Sequence, residues 1–317
     1  MTTGGTMQYG MLVEPQLGGT YEDLLRVASW AEGFGLGTFA RSDHYLANDK
    51  SRHATDALAT LAGLARETGS IELSVLVSPL TFRHPAVIAK TAATIDEMSG
   101  GRLALGVGTG WMESEHEKLG MELYPLRERF SRLFETLQYL RIAFGREPGP
   151  FAGRHYGIGD VDVHPKPTGR LPIVVGGGGA HKTPSLAGRF ADEYNMFVTD
   201  ADSLTSRLDV MRAAAKEAER DPEEILISFV GTALIGDDDA DYRERLAAGA
   251  AKRGIEPAEL EERYASRGLP IGTADKASEI VSDYAASGVQ RFYLQVFEPI
   301  DAIDTDDLER QFAAITG

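Results

Sequence analysis

Residues 98–111 read MSGGRLALGVGTGW, a stretch that joins a helix end, an apolar strand and a glycine-rich loop. Gly100 can end a helix because glycine adopts the left-handed backbone conformation at little cost. The strand predicted over residues 102–107 is followed by glycines, which lack a Cβ and let a flat ring or a phosphate approach backbone N–H groups. The stretch therefore predicts a strand that ends at a binding loop, with a tight structural turn as the alternative.

The same order of strand, loop and helix recurs along the chain. Apolar segments of strand length occur at residues 8–13, 37–41, 71–77, 102–107, 172–175, 194–197, 225–230 and 291–296. Helical patterns lie between them. From Phe130 to Leu140 apolar side chains repeat at three- and four-residue spacing, and Pro85 is expected to begin the helix that Gly100 ends. Eight strand–helix pairs predict an α/β fold, a (β/α)8 TIM barrel that forms one domain over residues 1–317.

Three segments interrupt this alternation. Residues 112–126 follow the fourth strand, 145–168 precede the fifth, and 237–269 follow the seventh. The first and third are expected on the face where barrel enzymes hold their sites, and the second is expected to be a docking or interface excursion. A doubly wound open sheet is the alternative fold, but the sequence EPQL at 14–17 lacks the glycine-rich dinucleotide turn after the first strand.

Composition narrows the class of protein. The chain has 317 residues, 43% of them hydrophobic, which is enough to fill a barrel core. It has no cysteine, so disulfides and thiolate metal sites are excluded. No apolar run approaches membrane-spanning length and residues 1–6 are polar, so a cytoplasmic location is expected. A net charge of -16 argues against nucleic acid and acidic membrane surfaces as partners.

The first of three polar or glycine-rich clusters at predicted strand ends is Ser42-Asp43-His44. Asp43 is predicted to orient His44, which could then transfer a proton. The alternative is that Asp43 caps a turn beside a half-buried histidine. Arg83 is expected either to shape the pocket or to pair with a carboxylate. A metal site is not predicted, because the seven histidines show no His-x-His or His-Glu-x-x-His spacing.

The other two clusters are rich in glycine. The second contains Trp111, whose ring could stack on an aromatic ligand or anchor a lid. The third is the run of four glycines at 176–179, which follows an apolar strand and precedes a helix expected to begin near His181 or Lys182. Unshielded backbone N–H groups at a helix start bind anions, so this run predicts a site for a cofactor phosphate.

Four motifs together resemble the bacterial luciferase-like oxidoreductase superfamily over nearly the whole chain. They are SDH at 42–44, TFRHPAVIAK at 81–90, SGGRLALGVGTGW at 99–111 and PIVVGGGG at 172–179. The Asp43-His44 pair and the Thr109-Gly110 loop are similar to its coenzyme F420-dependent branch, which includes sugar-phosphate dehydrogenases, secondary alcohol dehydrogenases and methylene-tetrahydromethanopterin reductase. The resemblance implies a barrel that binds F420, or alternatively FMN, at its carboxyl face, and a homodimer.

The resemblance also implies roles for individual residues. The cofactor-binding residues would be Asp43, Val75, Leu76, Gly108, Thr109, Gly110, Gly176, Gly177, Gly178 and Gly179. A non-proline cis peptide near Val75 and Leu76 would support the ring. His44 would exchange the substrate's proton, and Glu14 and Trp111 are candidate substrate contacts. Trp111 stands where the sugar-phosphate dehydrogenases have a glutamate, and Asn48 where they have a tryptophan, which argues against glucose 6-phosphate.

The predicted function is F420-dependent transfer of a hydride between the deazaflavin and a small organic substrate, which would be an alcohol, an imine or an activated alkene. An FMN-dependent luciferase-like monooxygenase is the alternative, because both groups share the barrel and the glycine loops. Two further classes stay open. One is a hydrolase or lyase that uses Glu14, Asp43 and Glu115 as acid and base; the other is a non-catalytic barrel that binds the cofactor.

Overall fold

A closed barrel of eight parallel strands forms the centre of the protein in its computed structural model, which describes residues 7–47 and 52–316. The expectations for residues 1–6 and for Asn48 therefore concern positions outside the described residues. The strands are β1 (Gln8–Val13), β2 (Thr38–Arg41), β3 (Glu72–Pro79), β4 (Leu103–Gly108), β5 (Phe151–Ala152), β6 (Gly157–Ile158), β7 (Ile173–Gly176), β8 (Glu193–Phe197), β9 (Leu226–Gly231), β10 (Leu234–Gly236), β11 (Ile271–Thr273) and β12 (Arg291–Val296).

Helices cover the outside of the barrel. They are α1 (Tyr21–Phe34), α2 (Ala57–Glu67), α3 (Pro85–Ser99), α4 (Glu113–Leu119), α5 (Leu126–Ala143), α6 (Lys182–Phe190), α7 (Ala201–Glu217), α8 (Asp239–Arg253), α9 (Pro257–Ala265), α10 (Ala274–Ala286) and α11 (Thr305–Thr316). Within the two described ranges, none of these helices combines the length and the apolarity that crossing a membrane requires.

The barrel closes in the order β1-β12-β9-β8-β7-β4-β3-β2, and each neighbouring pair is parallel. These eight strands coincide with the eight predicted segments, and their ends differ from the prediction by at most two residues. The predicted TIM barrel is confirmed. Parallel strands are buried on both faces and read as continuous apolar runs, which is why the sequence pattern identifies them.

Local signals set the helix ends as the sequence indicates. Pro85 occupies the first position of α3, and Gly100 ends that helix in the left-handed conformation with φ of 72°. Proline suits this first position because its missing N–H has no partner there in any helix. On α5 the predicted apolar face is buried against the barrel, at Leu133, Leu137 and Leu140.

The three predicted interruptions are also present. The segment 112–126 contains α4, the segment 145–168 contains the antiparallel pair β5 and β6, and the segment 237–269 contains α8 and α9. The first and third begin at the carboxyl ends of barrel strands, so they lie on the face expected to hold ligands. The β5–β6 pair instead docks on α5, where the Glu135 carboxylate accepts the N–H groups of residues 154–156.

Side chains of alternate strand residues fill the barrel in layers. At the amino end, Arg291 donates to the carboxylates of Glu72 and Glu193 at 2.9 and 2.8 Å. The next layer is apolar and consists of Leu12, Ala40, Leu76, Ala104, Val174, Val230 and Tyr293. Because these two layers are filled, the space that a ligand can enter lies at the carboxyl-terminal face.

A bulge in β3 forms the floor of that face. The register of β3 against β4 shifts after Val75, and the Leu76–Val77 peptide bond is cis. The cis bond predicted near Val75 and Leu76 is thus present. The Val77 side chain occupies the space that glycine leaves: a Cβ at Gly108 would lie 2.7 Å from Val77 Cγ2, and a Cβ at Gly176 would lie 2.8 Å from Val77 Cγ1. Glycine at these two positions accommodates the bulge.

Gly108→Ala is expected to destabilise the protein by about 1–3 kcal/mol, because the new methyl group overlaps Val77. Adding Val77→Ala makes room for it, so the double variant should lose less stability than the sum of the single variants. Urea unfolding of the four proteins measures this coupling. Gly159→Ala is the control, since no atom lies within 4 Å of the position that a Cβ would take there. If the free energies of unfolding lost in the two single variants simply add in the double variant, the contact between residue 108 and Val77 is contradicted.

Candidate active site

The His44 side chain follows β2 at the carboxyl-terminal face, where it meets α4. Its Nδ1 lies 3.0 Å from Oε2 of Glu115. The N–H groups of Tyr45 and Leu46 donate to Oε1 of the same carboxylate, at 2.6 and 3.0 Å. Glu115 is fully buried, whereas the His44 ring keeps 17% of its surface exposed. Glu115 therefore fixes the ring through Nδ1, and Nε2 is the nitrogen that can act on a ligand.

The prediction that Asp43 orients His44 is wrong. The Asp43 carboxylate accepts the Ser78 hydroxyl at 2.7 Å and pairs with the Arg83 guanidinium. The Arg83 guanidinium is permanently charged and planar, and it reaches both oxygens of the Asp43 carboxylate, which a single imidazole nitrogen cannot do. Asp43 consequently joins the end of β2 to the β3 bulge, and the orienting carboxylate comes from α4.

Arg83 is held between two carboxylates. It pairs with Asp43 and with Asp56, and it donates to the Tyr45 hydroxyl at 2.9 Å. Burial would lower the pKa of Arg83, but the hydrogen bond and the charge of Asp43 raise it above its usual value. The expectation that Arg83 pairs with a carboxylate is confirmed. Its charge is balanced within the protein and does not create an anion site.

The His44–Glu115 pair shifts the pKa values of both partners. Burial alone would lower the pKa of His44, but the hydrogen bond and the charge of Glu115 outweigh burial and raise it. The more distant Glu14 carboxylate acts in the same direction. Burial would raise the pKa of Glu115, yet donors from His44 and from the backbone at 45 and 46 lower it. The pair therefore favours an imidazolium beside a carboxylate, which suits His44 as a proton donor.

Glu14 lies buried at the end of β1 and is satisfied by two amide side chains. Gln16 Nε2 donates to Oε2 at 2.5 Å, and Gln295 Nε2 donates to Oε1 at 2.6 Å. The carboxylate thus adds negative charge to the mouth of the barrel while its two oxygens are occupied. The role of Glu14 as a substrate contact is still a prediction.

The glycine loop after β4 carries Trp111 to the mouth of the barrel. Gly110 adopts φ of 75°, and its carbonyl accepts a hydrogen bond from Arg129. The Trp111 ring is 67% exposed, and its centroid lies 5.7 Å from that of His44, edge to face. Of the two interpretations, a buried anchor does not apply, because the ring faces open space beside His44.

The second glycine run divides into two parts. Gly176 ends β7 against Val77, and the Gly177 N–H donates to the Asn195 carbonyl at 3.3 Å. Gly178 and Gly179 then lead into α6, which begins at Lys182 as expected. The residue before it, His181, forms no capping hydrogen bond with its side chain. The N–H groups that an anion can approach are therefore those that follow residue 177.

The structure brings together some predicted site residues and separates others. His44, Trp111 and Glu14 share the mouth, whereas Asp43 turns away from His44. Sequence reasoning predicts Glu115 only as a carboxylate for hydrolytic chemistry and misses its role toward His44, because the two residues are 71 positions apart. In the part of the chain that the structure describes, no three His, Asp or Glu side chains are grouped to hold a metal ion.

These features define a TIM-barrel protein whose carboxyl-terminal face combines a histidine held by a buried carboxylate with two glycine-rich loops. The model of one protein family, the luciferase-like monooxygenases, matches residues 1–296. The chain belongs to this family, and the predicted superfamily is confirmed.

Individual relatives differ in the reaction that their names give. An F420-dependent glucose-6-phosphate dehydrogenase of Amycolatopsis mediterranei is 30% identical over 274 residues, which cover 82% of this chain and 81% of that relative. The pyrimidine monooxygenase RutA of Allorhizobium ampelinum is 31% identical over 187 residues, 56% of this chain and 50% of that relative. A solved structure of an F420-dependent secondary alcohol dehydrogenase with an F420-acetone adduct superimposes with a TM-score of 0.78 at 20% identity, covering 98% and 99% of the two chains. At that identity the structure supports the fold alone.

Replacing Glu115 by Gln should lower the pKa of His44 by about one or more, because the negative charge that favours the imidazolium is lost. NMR titration of the histidine rings measures this, with the His44 signal identified by its absence in His44→Gln. Glu113→Gln, an exposed carboxylate on the same helix, is the matched control and should leave the titration unchanged. An unaltered His44 pKa in Glu115→Gln would show that the pair does not set it.

Proposed function

We propose that this protein is a coenzyme F420-dependent oxidoreductase that transfers a hydride between the deazaflavin and a small organic substrate, an alcohol, an imine or an activated alkene. The relative named as F420-dependent, at 30% identity over most of both chains, supports F420 over FMN. FMN-dependent monooxygenation is the second candidate, because the pyrimidine monooxygenase is as similar over a shorter part of the chain.

The observation that carries the proposal is the His44–Glu115 pair beside glycine-lined space. Gly108 and Gly176 leave room for the Val77 side chain, so the bulge of Val75–Val77 forms the floor on which a flat ring can lie. The exposed N–H groups at Gly178 and beyond, with Lys182 at the first position of α6, fit a phosphate. The residues that would hold the cofactor are thus the bulge, Gly108–Gly110 and the loop from Gly178 to Lys182.

Hydride transfer needs a partner that handles the proton. When bound, the deazaflavin supplies or accepts the hydride at its C5. In the direction of reduction, Nε2 of His44 donates a proton to the heteroatom of a ketone or an imine, or to the α-carbon of an activated alkene, and in the direction of oxidation it accepts the proton. Glu115 holds the ring through Nδ1 and stabilises its charged form. Asp43 enters as a positioning residue, because its carboxylate ties the β3 bulge at Ser78 to Arg83.

His44→Gln should lower kcat by about a hundredfold or more, because it removes the proton donor and keeps a side chain of similar size. The assay follows oxidation of reduced F420 under anaerobic conditions with a panel of ketones, imines and enones. The dissociation constant for F420 should change by less than about twofold. Turnover equal to that of the unaltered protein would remove His44 from the proton transfer.

The phosphate position is tested by charge reversal at the start of α6. Lys182→Glu places a negative charge beside the proposed phosphate, so the dissociation constant for F420 should rise about tenfold. Arg189→Glu makes the same charge change near the other end of α6 and is the control. Equal affinities in the two variants, read from F420 fluorescence, would move the phosphate to another place.

A further inference from the structure

Strand alternation places Phe197 on the inner side of the barrel mouth. On β8, Glu193 and Asn195 both point into the barrel. Each forms a hydrogen bond with the hydroxyl of Ser228 on the neighbouring strand β9, at 2.6 and 2.9 Å. Side chains two residues apart on a strand share a face, so Phe197 also points inward, at the carboxyl end of the strand. Its side chain is nevertheless 57% exposed. The ring therefore faces the open mouth.

Phe297 follows β12 at the same end of the barrel. Within that strand, Arg291 bonds Glu193 inside the barrel, and Gln295 bonds Glu14 at the mouth. Phe297 is the first residue after the strand, two positions after Gln295, and it is 49% exposed. Trp111, in the loop after β4, is the third exposed ring at this end of the barrel. We call these three side chains the aromatic cleft.

The charges around the aromatic cleft disfavour an anionic substrate. The residues that directly follow β1, β2 and β9 at this end are acidic or uncharged: Glu14, Ser42 and Thr232. Arg83 is neutralised by Asp43 and Asp56. A phosphate monoester would thus bring its charge close to the Glu14 carboxylate, while the two cations described at this end are already paired, His44 with Glu115 and Arg83 with its two aspartates. Arg267 is the cation that could instead bind a phosphate at this end, because it precedes Gly268, which lies beside Val198 just after β8.

Exposed aromatic rings are stabilised when an apolar molecule covers them. We propose that the substrate is uncharged and predominantly apolar, that its apolar body binds in the aromatic cleft, and that its single reacting polar group points to His44. The role of His44 in this proposal rests on the proposed function. Binding of an apolar molecule in the aromatic cleft does not, and it can be tested without a cofactor. It assigns specificity to Trp111, Phe197 and Phe297 and excludes sugar phosphates as substrates.

The chain provides its own reporter, because it has two tryptophans. Trp30 lies on α1 and packs against Phe34 and Phe312, so Trp30→Phe leaves Trp111 as the sole tryptophan, and excitation at wavelengths that tyrosine does not absorb reports on it alone. Titration of this variant with cyclohexanol should shift the Trp111 emission to shorter wavelength in a saturable way. Glucose 6-phosphate and inorganic phosphate should produce no saturable change.

Variants in the same background locate the binding. Phe197→Ala and Phe297→Ala should each weaken cyclohexanol binding by about three- to tenfold, whereas Val161→Ala, another exposed apolar residue, should leave it unchanged. Calorimetry on cofactor-saturated protein repeats the comparison in the reacting form. Absence of cyclohexanol binding in both forms, or saturable phosphate binding that Arg267→Ala abolishes, would overturn the proposal. Because the first titration uses no cofactor, its failure is distinguishable from failure of the F420 assignment.

Discussion

The Glu115 carboxylate is the interaction on which the active face depends. It belongs to α4, outside the regular strand–helix alternation, yet it accepts hydrogen bonds from His44 and from two backbone N–H groups of the β2 loop. One buried carboxylate thus orders that loop, selects Nε2 as the free nitrogen of His44, and keeps the segment that begins with Trp111 beside the barrel mouth. Without the Glu115 carboxylate, the His44 ring would lose the partner that fixes its orientation.

The barrel beneath this face makes such an arrangement possible. Arg291 and its carboxylates fill the amino end, and an apolar layer fills the middle, so a ligand can approach only from the carboxyl-terminal face. The β3 bulge then rises into the space that Gly108 and Gly176 leave open. These two glycines therefore serve packing against the bulge, which agrees with the structural interpretation of the glycine-rich loops.

Sequence patterns predict the fold well because strand and helix signals are local. Each barrel strand is a short apolar run, and Pro85 and Gly100 mark the ends of α3 within the motif itself. The site is predicted only in part, because its pairings join distant elements. Asp43 pairs with Arg83, which is 40 positions away, and His44 pairs with Glu115, which is 71 positions away. The carboxylate next to His44 in the sequence is therefore not the one that orients its ring. The inward direction of Phe197 requires the strand register, although period-two counting from Glu193 indicates it.

Cofactor identity is the central claim, since it decides between hydride transfer and oxygenation. The most direct measurement is an anaerobic titration of cofactor-free protein with F420 and with FMN, which yields a dissociation constant for each from cofactor fluorescence. The site at the barrel mouth should bind F420 with micromolar or tighter affinity and FMN at least about tenfold more weakly, a difference of about 1.4 kcal/mol. Tighter binding of FMN, or binding of neither cofactor, would contradict assignment to F420-dependent hydride transfer.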